Sequence, residues 1–394
     1  MRSSIVRTTW TAISVSVVGC TTLGEDGREE SVNVHPTVET QRTLASRSSF
    51  VDEQGRTWVR RGPVVYKDVS LERLRELEAS AFTPSPTKNI ATLPLDELAE
   101  LLNPVTEFDG YEFSLDRDSA REFARVIQSV AIESAEKDAR GASGAPGSSP
   151  TARPEVGTTS QAVMVDGESR LNISHIGNVF PYNLHGWFGT TTSPGCTCAK
   201  MINNFTCVTS AHCQHDGSGW LTRLPITFQP TASPLPQIPT DCYGRIVPNG
   251  WNSGTSVNWD FDYAVIYLRG RNGAWCSVSS YDVGFFGWNT VGNGEINIPT
   301  WLSGFPFNDR PAGWPYPVLA WDDRNDTYQP ASLPGRIRHR CDSTGGQSGA
   351  AIVKNWGGGD YRALGVNTGG AGADNIGPRM TSAVAAWMAS VAGF

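Results

Sequence analysis

Three patterns of apolar and polar positions divide the chain. Residues 71–78, 95–102 and 114–140 carry apolar side chains at three- and four-residue spacing with charges between them, the signature of amphipathic helices. Pro94 suits a helix start, and Ser114 followed by Asp116 and Asp118 supplies an acidic first turn. From residue 163 onward the pattern changes to short β-branched and aromatic runs, at 205–209, 264–268 and 350–353, separated by Gly, Pro, Asn and Asp. That pattern predicts an all-β sandwich or barrel. A final stretch, 381–392, is rich in Ala, Val and Met and predicts a closing helix.

Between the two regions, residues 141–162 contain Gly, Ala, Ser, Pro and Thr and almost no large apolar side chain. Such a segment has too little to bury to offset its ordering entropy, so it is expected to be a linker and a site of proteolytic cutting. At the start of the chain, Arg2 and Arg7 precede an apolar, small-residue stretch over 11–19, too short for a permanent membrane span and typical of an export signal. The expected organisation is therefore a signal over 1–20, a largely helical leader over 21–140, a linker over 141–162 and a β-rich body over 163–394.

Composition adds an asymmetry. Residues 21–140 hold 23 acids against 15 bases, whereas residues 163–394 hold 15 acids against 14 bases. The front is acidic and the back nearly neutral, and no run of five or six Lys or Arg offers a nucleic-acid footprint. Asp322, Asp323 and Asp326 crowd one short stretch, and such a cluster reads as a solvated loop.

The candidate chemistry lies in three strings. Gly345-Gly346-Gln347-Ser348-Gly349 suits a turn where a serine hydroxyl is presented and backbone N–H groups can converge on an oxyanion. Thr209-Ser210-Ala211-His212-Cys213 supplies a histidine that could take the hydroxyl proton. Asp262 directly precedes the apolar run Ala264-Val265-Ile266-Tyr267-Leu268, which would carry its carboxylate inward; Asp260 is the competing acid. His175, His185, His215 and His339 read as structural histidines.

His212, Asp262 and Ser348 follow one another at intervals of 50 and 86 residues. In order and spacing they resemble the catalytic residues of the trypsin-like (chymotrypsin-fold) serine proteases. The serine string is most similar to that of the bacterial glutamyl endopeptidase subgroup. The resemblance covers residues 163–394 and implies two six-stranded antiparallel barrels, a C-terminal helix and a preceding propeptide. It implies Ser348 as nucleophile, His212 as general base and acid, and Asp262 as the group orienting the imidazole. The N–H groups of Gly346 and Ser348 would form the oxyanion hole. Substrate-binding positions would include Asp342, Ser343, Asn367 and Thr368. No metal or organic cofactor is implied, and the partners are protein or peptide substrates and the chain's own propeptide.

Two signals on specificity conflict. Asp342 lies six residues before Ser348, where the trypsin type carries an acid selecting basic side chains. Against this, the body contains only two glutamates, Glu168 and Glu295, while residues 21–140 contain fifteen, as expected of an enzyme that cuts after acids and spares itself. Asn367 stands where the subgroup carries a histidine.

Seven cysteines follow Cys20. The resemblance implies a Cys198–Cys213 disulfide bracing the histidine; a zinc site from Cys196, Cys198, Cys207 and His212 has the donor atoms and poor spacing. Val17-Val18-Gly19-Cys20 resembles a bacterial lipoprotein signal, which implies an exported precursor tethered to the membrane through lipid on Cys20, or secreted after processing near Ala162. The alternative to an enzyme is a binding or adhesive protein on the same fold without catalysis. An esterase of the Gly-x-Ser-x-Gly type is disfavoured because Gly346 and Gly349 leave that pattern one residue short.

Overall fold

The computed structural model describes residues 48–68, 72, 74, 77, 88–108, 110–142, 170–174, 180–189, 195–203, 205–228, 238–240, 243–251, 258–268, 284–291, 297–307, 313, 318–330, 333, 335–371 and 374–392. The export signal, Cys20, the processing region near Ala162, His175, Cys242 and Cys276 lie outside them. No helix among the described residues is long and apolar enough to cross a membrane.

The body is β-rich and closes on a helix, as its alternating short runs predict. Its strands are β5 (Leu171–Asn172), β6 (His185–Phe188), β7 (Thr197–Lys200), β8 (Thr206–Thr209), β9 (Ile226–Phe228), β10 (Gly244–Pro248), β11 (Ala264–Tyr267), β12 (Gly287–Trp288), β13 (Ile298–Gly304), β14 (Ala320–Thr327), β15 (Arg336–His339), β16 (Ala351–Asn355), β17 (Tyr361–Val366), β18 (Gly369–Ala371) and β19 (Asp374–Pro378). The last helix, α3, spans Ser382–Val391, and Thr381 caps it by accepting from the Val384 N–H.

The leader holds two helices, α1 (Leu95–Leu102) and α2 (Arg117–Ala142), as their spacing predicts, and Glu72, Leu74 and Leu77 have helical backbone. It also contributes four strands absent from the sequence expectation: β1 (Ser49–Val51), β2 (Thr57–Pro63), β3 (Pro104–Phe108) and β4 (Tyr111–Leu115). These strands carry Arg60, Glu107 and Glu112, so their pattern looks like surface; the partners that make them strands lie far away in sequence.

The described strands form three sheets. The largest runs β1-β2-β4-β3-β10-β11-β8-β7-β6-β9, the second β12-β17-β16-β13-β14-β5 and the third β15-β19-β18. The first half of the body thus supplies six consecutive strands. They form an open run that continues into the leader through β10 and β3, and the described strands do not close into two separate six-stranded barrels. A free sheet edge at β10 would be open to further pairing, and β3 occupies it.

Residues 322–326, expected as a solvated acidic loop, lie within β14 instead. Asp322 is buried and accepts the Asp342 N–H at 2.7 Å. Pairing of β14 with β13, Leu302 opposite Asp322, overrides the local preference of an acidic run for loop.

Candidate active site

β8 and β11 are antiparallel neighbours, with Ala264 opposite Thr209. The chain leaves β8 through Ser210 into a one-turn 3-10 helix, Ala211–Cys213, and enters β11 from another, Trp259–Phe261, which Asp262 terminates. Sequence-distant ends of adjacent strands are therefore spatial neighbours, and His212 meets Asp262.

The contact is double. The His212 backbone N–H donates to Asp262 Oδ1 at 2.8 Å, and ring Nδ1–H donates to Oδ2 at 2.9 Å. Both side chains are fully buried. Because a carboxylate only accepts, this geometry places the imidazole proton on Nδ1 and leaves Nε2 as the basic nitrogen. Thr368, between β17 and β18, donates its hydroxyl to the same Oδ2 at 2.7 Å. Trp251 and Trp259 flank the imidazole with ring centroids 6.5 and 5.9 Å away, and pack on each other at 5.2 Å.

Ser348 reaches this cluster from the second half of the body. Its hydroxyl donates to the Thr368 carbonyl at 3.0 Å, and its carbonyl accepts the Thr197 N–H at 2.8 Å. The turn that presents it needs its glycines. Gly346 has φ of 99° and Gly349 of 88°, where L side chains are strained. A Cβ on Gly349 would lie 2.1 Å from both the Thr197 carbonyl and Thr209 Oγ1, and one on Gly346 would lie 2.5 Å from the Phe305 carbonyl. Both positions are sterically closed to any other residue.

The candidate specificity positions are buried beside this turn. Asn367 accepts from His339 Nε2–H at 3.0 Å and donates to Ser343 Oγ and to the Gln347 carbonyl, each at 3.0 Å. Burial lowers the His339 pKa to about 4, so it is neutral at physiological pH. Asp342 is fully buried and tied through its N–H to Asp322. Asp260, the competing acid, is elsewhere: Arg336 Nε donates to it at 2.8 Å. His185 and His215 are also buried outside the cluster, with pKa values lowered by burial to about 4 and about 3.

One expectation is corrected. The disulfide joins Cys196 and Cys213, with Cα atoms 6.1 Å apart, and not Cys198 and Cys213. Cys196 precedes β7 and faces the histidine turn. Cys198 lies inside β7 opposite Gly186, with its sulfur 2.8 Å from that of Cys207. The two cysteines are only two residues apart, so spacing alone does not separate them.

Neither the aromatic wall of Trp251 and Trp259 nor the His339–Asn367 contact follows from the sequence patterns. Trp259 stands three residues before Asp262, a signal that was available; nothing local marks Trp251 or His339.

No protein-family model matches the chain. A curated relative, the extracellular metalloprotease of Bacillus subtilis (strain 168), is 25% identical over 203 residues, covering 50% of this chain and 57% of that protein. The chain therefore spans little more than half the length of the relative it matches. Similar solved structures include the thermostable serine protease AL20 from an extremophilic microorganism (18% identity, 53% of this chain, 95% of that one, TM-score 0.37). The protease Anisep from Arthrobacter nicotinovorans is also similar (18%, 53%, 94%, TM-score 0.38), as is the mouse serine protease neuropsin (14%, 50%, 89%, TM-score 0.36).

Proposed function

We propose that the chain is an exported serine endopeptidase. The observation that carries this reading is the doubly hydrogen-bonded His212–Asp262 pair, whose Oδ2 also holds Thr368, with Ser348 Oγ anchored on the carbonyl of that same Thr368. In the proposed reaction Ser348 Oγ attacks the scissile carbonyl while its proton passes to His212 Nε2. The imidazolium then protonates the leaving amine, and water repeats the sequence on the acyl-enzyme. Asp262 stabilises the imidazolium, and the N–H groups of Gly346 and Ser348 receive the oxyanion, each such donor being worth about 3–4 kcal/mol in the transition state.

The finer features belong to the same proposal. Preference for cleavage after acidic residues is supported by the scarcity of glutamate in the body, while Asn367, standing where the subgroup carries a histidine, weighs against a charge-based account of it. The chain is proposed to be made as a precursor with an export signal, lipid on Cys20 and processing near Ala162.

The relative's description as a metalloprotease raises a second reading. Among the described residues, the one grouping of three potential metal ligands is Cys196, His212 and Cys213. Two of its three donors are consumed in the Cys196–Cys213 disulfide, so this set does not fit a catalytic zinc.

Peptide mass mapping of an unstructured protein digested by the purified chain tests the reading. Cuts that vanish in Ser348→Ala and with a serine-directed phosphonate, and that survive a metal chelator, are the expected result. Cuts after Arg or Lys would move specificity to Asp342. Chelator-sensitive cleavage retained in Ser348→Ala would overturn the serine mechanism. A folded chain with no mutant-sensitive cleavage would favour the non-catalytic binding protein.

A further inference from the structure

We infer that the described residues between 48 and 142 are a permanent part of the folded enzyme: after the chain is cut within 143–169, the leader stays bound to the body as a second chain and buttresses the wall behind His212.

The first support is sheet continuity. β3 pairs with β10 through four residue pairs, Arg245–Glu107 to Pro248–Pro104, and β10 in turn pairs with β11, the strand that follows Asp262. A second connection runs at residue 67, whose N–H donates to the Trp220 carbonyl at 2.9 Å and whose carbonyl accepts the Thr222 N–H at 2.7 Å. A leader lying across the cleft by its side chains could leave without disturbing the body. A leader hydrogen-bonded within the sheet cannot leave without exposing a strand edge.

The second support is a buried charge cluster divided between the two parts. Glu107 of the leader is fully buried. It accepts from Arg223 Nε at 2.7 Å and from Tyr66 OH at 2.7 Å, with Arg245 Nε 3.5 Å away. Arg245 is itself buried, its guanidinium 4.8 Å from the Trp220 ring centroid. Burial opposes the charge on Glu107, and the two guanidiniums overcome it, holding its carboxyl below the usual range. Departure of the leader would separate two arginines of the body from the carboxylate that both face.

The third support links the leader to the site. The end of α1 accepts from the body at two consecutive residues: Gly250 N–H donates to the Leu101 carbonyl at 2.7 Å and Asn249 N–H to that of Asn103 at 2.9 Å. Trp251, the next residue, carries the indole against His212 and donates Nε1–H to the His215 carbonyl at 2.6 Å. From the other side Trp387 of α3 donates Nε1–H to the Leu102 carbonyl at 2.7 Å. Leu98, Leu102 and Phe113 of the leader share one apolar core with Trp251, Tyr263 and Trp387 of the body. The His212 wall therefore rests on leader backbone.

The test uses the full chain carrying Ser348→Ala, so that self-cleavage plays no part, with a recognition sequence for an unrelated site-specific protease placed between residues 145 and 160. After cutting, native gel filtration with mass analysis should give one species containing both fragments, separating only under denaturant. The downfield Nδ1–H proton of His212 should be unchanged by the cut and lost when the fragments are separated. Glu107→Gln in the same background should lower the denaturant concentration at which they part. A leader fragment that elutes alone, from a body that keeps its tryptophan fluorescence and the His212 proton, would overturn the inference. Retention is read without catalysis, so it stands apart from the protease reading. In the active chain, that reading alone fails if neither the cut nor the uncut form hydrolyses peptide.

Discussion

Thr368 donates its hydroxyl to Asp262 Oδ2 at 2.7 Å, onto the same oxygen that takes His212 Nδ1–H at 2.9 Å. One side chain thus fixes the carboxylate that fixes the imidazole, while the backbone carbonyl of Thr368 holds Ser348 Oγ at 3.0 Å. Thr368→Val keeps the shape and the backbone contact and removes the hydroxyl donor. The expected outcome is a kcat lower by roughly 10- to 150-fold, the worth of about 1.5–3 kcal/mol for one hydrogen bond to a charged group, with KM little changed. Steady-state kinetics on a peptide substrate checks it.

Asp262→Asn should be far more severe. An amide can present N–H toward Nδ1, stabilising the tautomer with its proton on Nε2 and removing the base. A loss on the order of 10⁴-fold in kcat is expected, with the fold retained. Rate measurement together with circular dichroism separates this from unfolding, and a variant within about tenfold of the parent, judged against that scale, would exclude Asp262 from the role.

Gly349→Ala tests the turn itself. Its φ of 88° and the 2.1 Å approach of an added Cβ to the Thr197 carbonyl leave no place for a methyl group. Misfolding or a large fall in melting temperature is expected, beyond the about 1 kcal/mol that a left-handed conformation costs an L residue. Gly357→Ala provides the control, since its φ of 91° is equally strained and its surroundings are open.

Stability should fall as the solution is acidified from about pH 6.5 toward pH 4. His185 and His339 have folded pKa values lowered by burial to about 4, and His215 to about 3, below the ordinary value of 6.5. Above pH 6.5 folded and unfolded forms are equally neutral at these sites. Below it the unfolded chain binds protons that the folded chain refuses, so stability drops until the folded pKa values are passed. Denaturant midpoints measured at pH 7, 5.5 and 4.5 should decline in that order, and His339→Asn should flatten part of the slope.

Removal of the Cys196–Cys213 crosslink by paired alanine substitution should cost about 3 kcal/mol, the loop-closure scale for its separation of 17 residues. Mass mapping of the unreduced parent should find the 196–213 peptide pair and should find it again in Cys198→Ala. Appearance of a 198–213 pair in the parent would overturn the assignment.

Much of this was legible locally. The apolar run at 264–268 announces β11 because four successive buried residues leave no polar alternation, and the spacing of Leu95, Leu98 and Leu102 announces α1. The glycines around Ser348 announce a strained turn, since only glycine tolerates such backbone. The four leader strands were not legible: Glu107 in a strand looks solvated until Arg223, 116 residues later, is known to face it. Nor could spacing choose between Cys196 and Cys198, only two residues apart.

Where the chain is apolar, where it must turn and which side chains could carry acid–base and nucleophilic chemistry are properties written locally, because they depend on a residue and its near neighbours. That the end of β8 lies beside the start of β11, that Thr368 stands over Asp262 and that β3 of the leader completes the edge of the body at β10 are products of the fold. Those pairings join residues fifty or more positions apart, and they are selected by sheet register and by the burial of each charge against its counter-charge, which no local window contains.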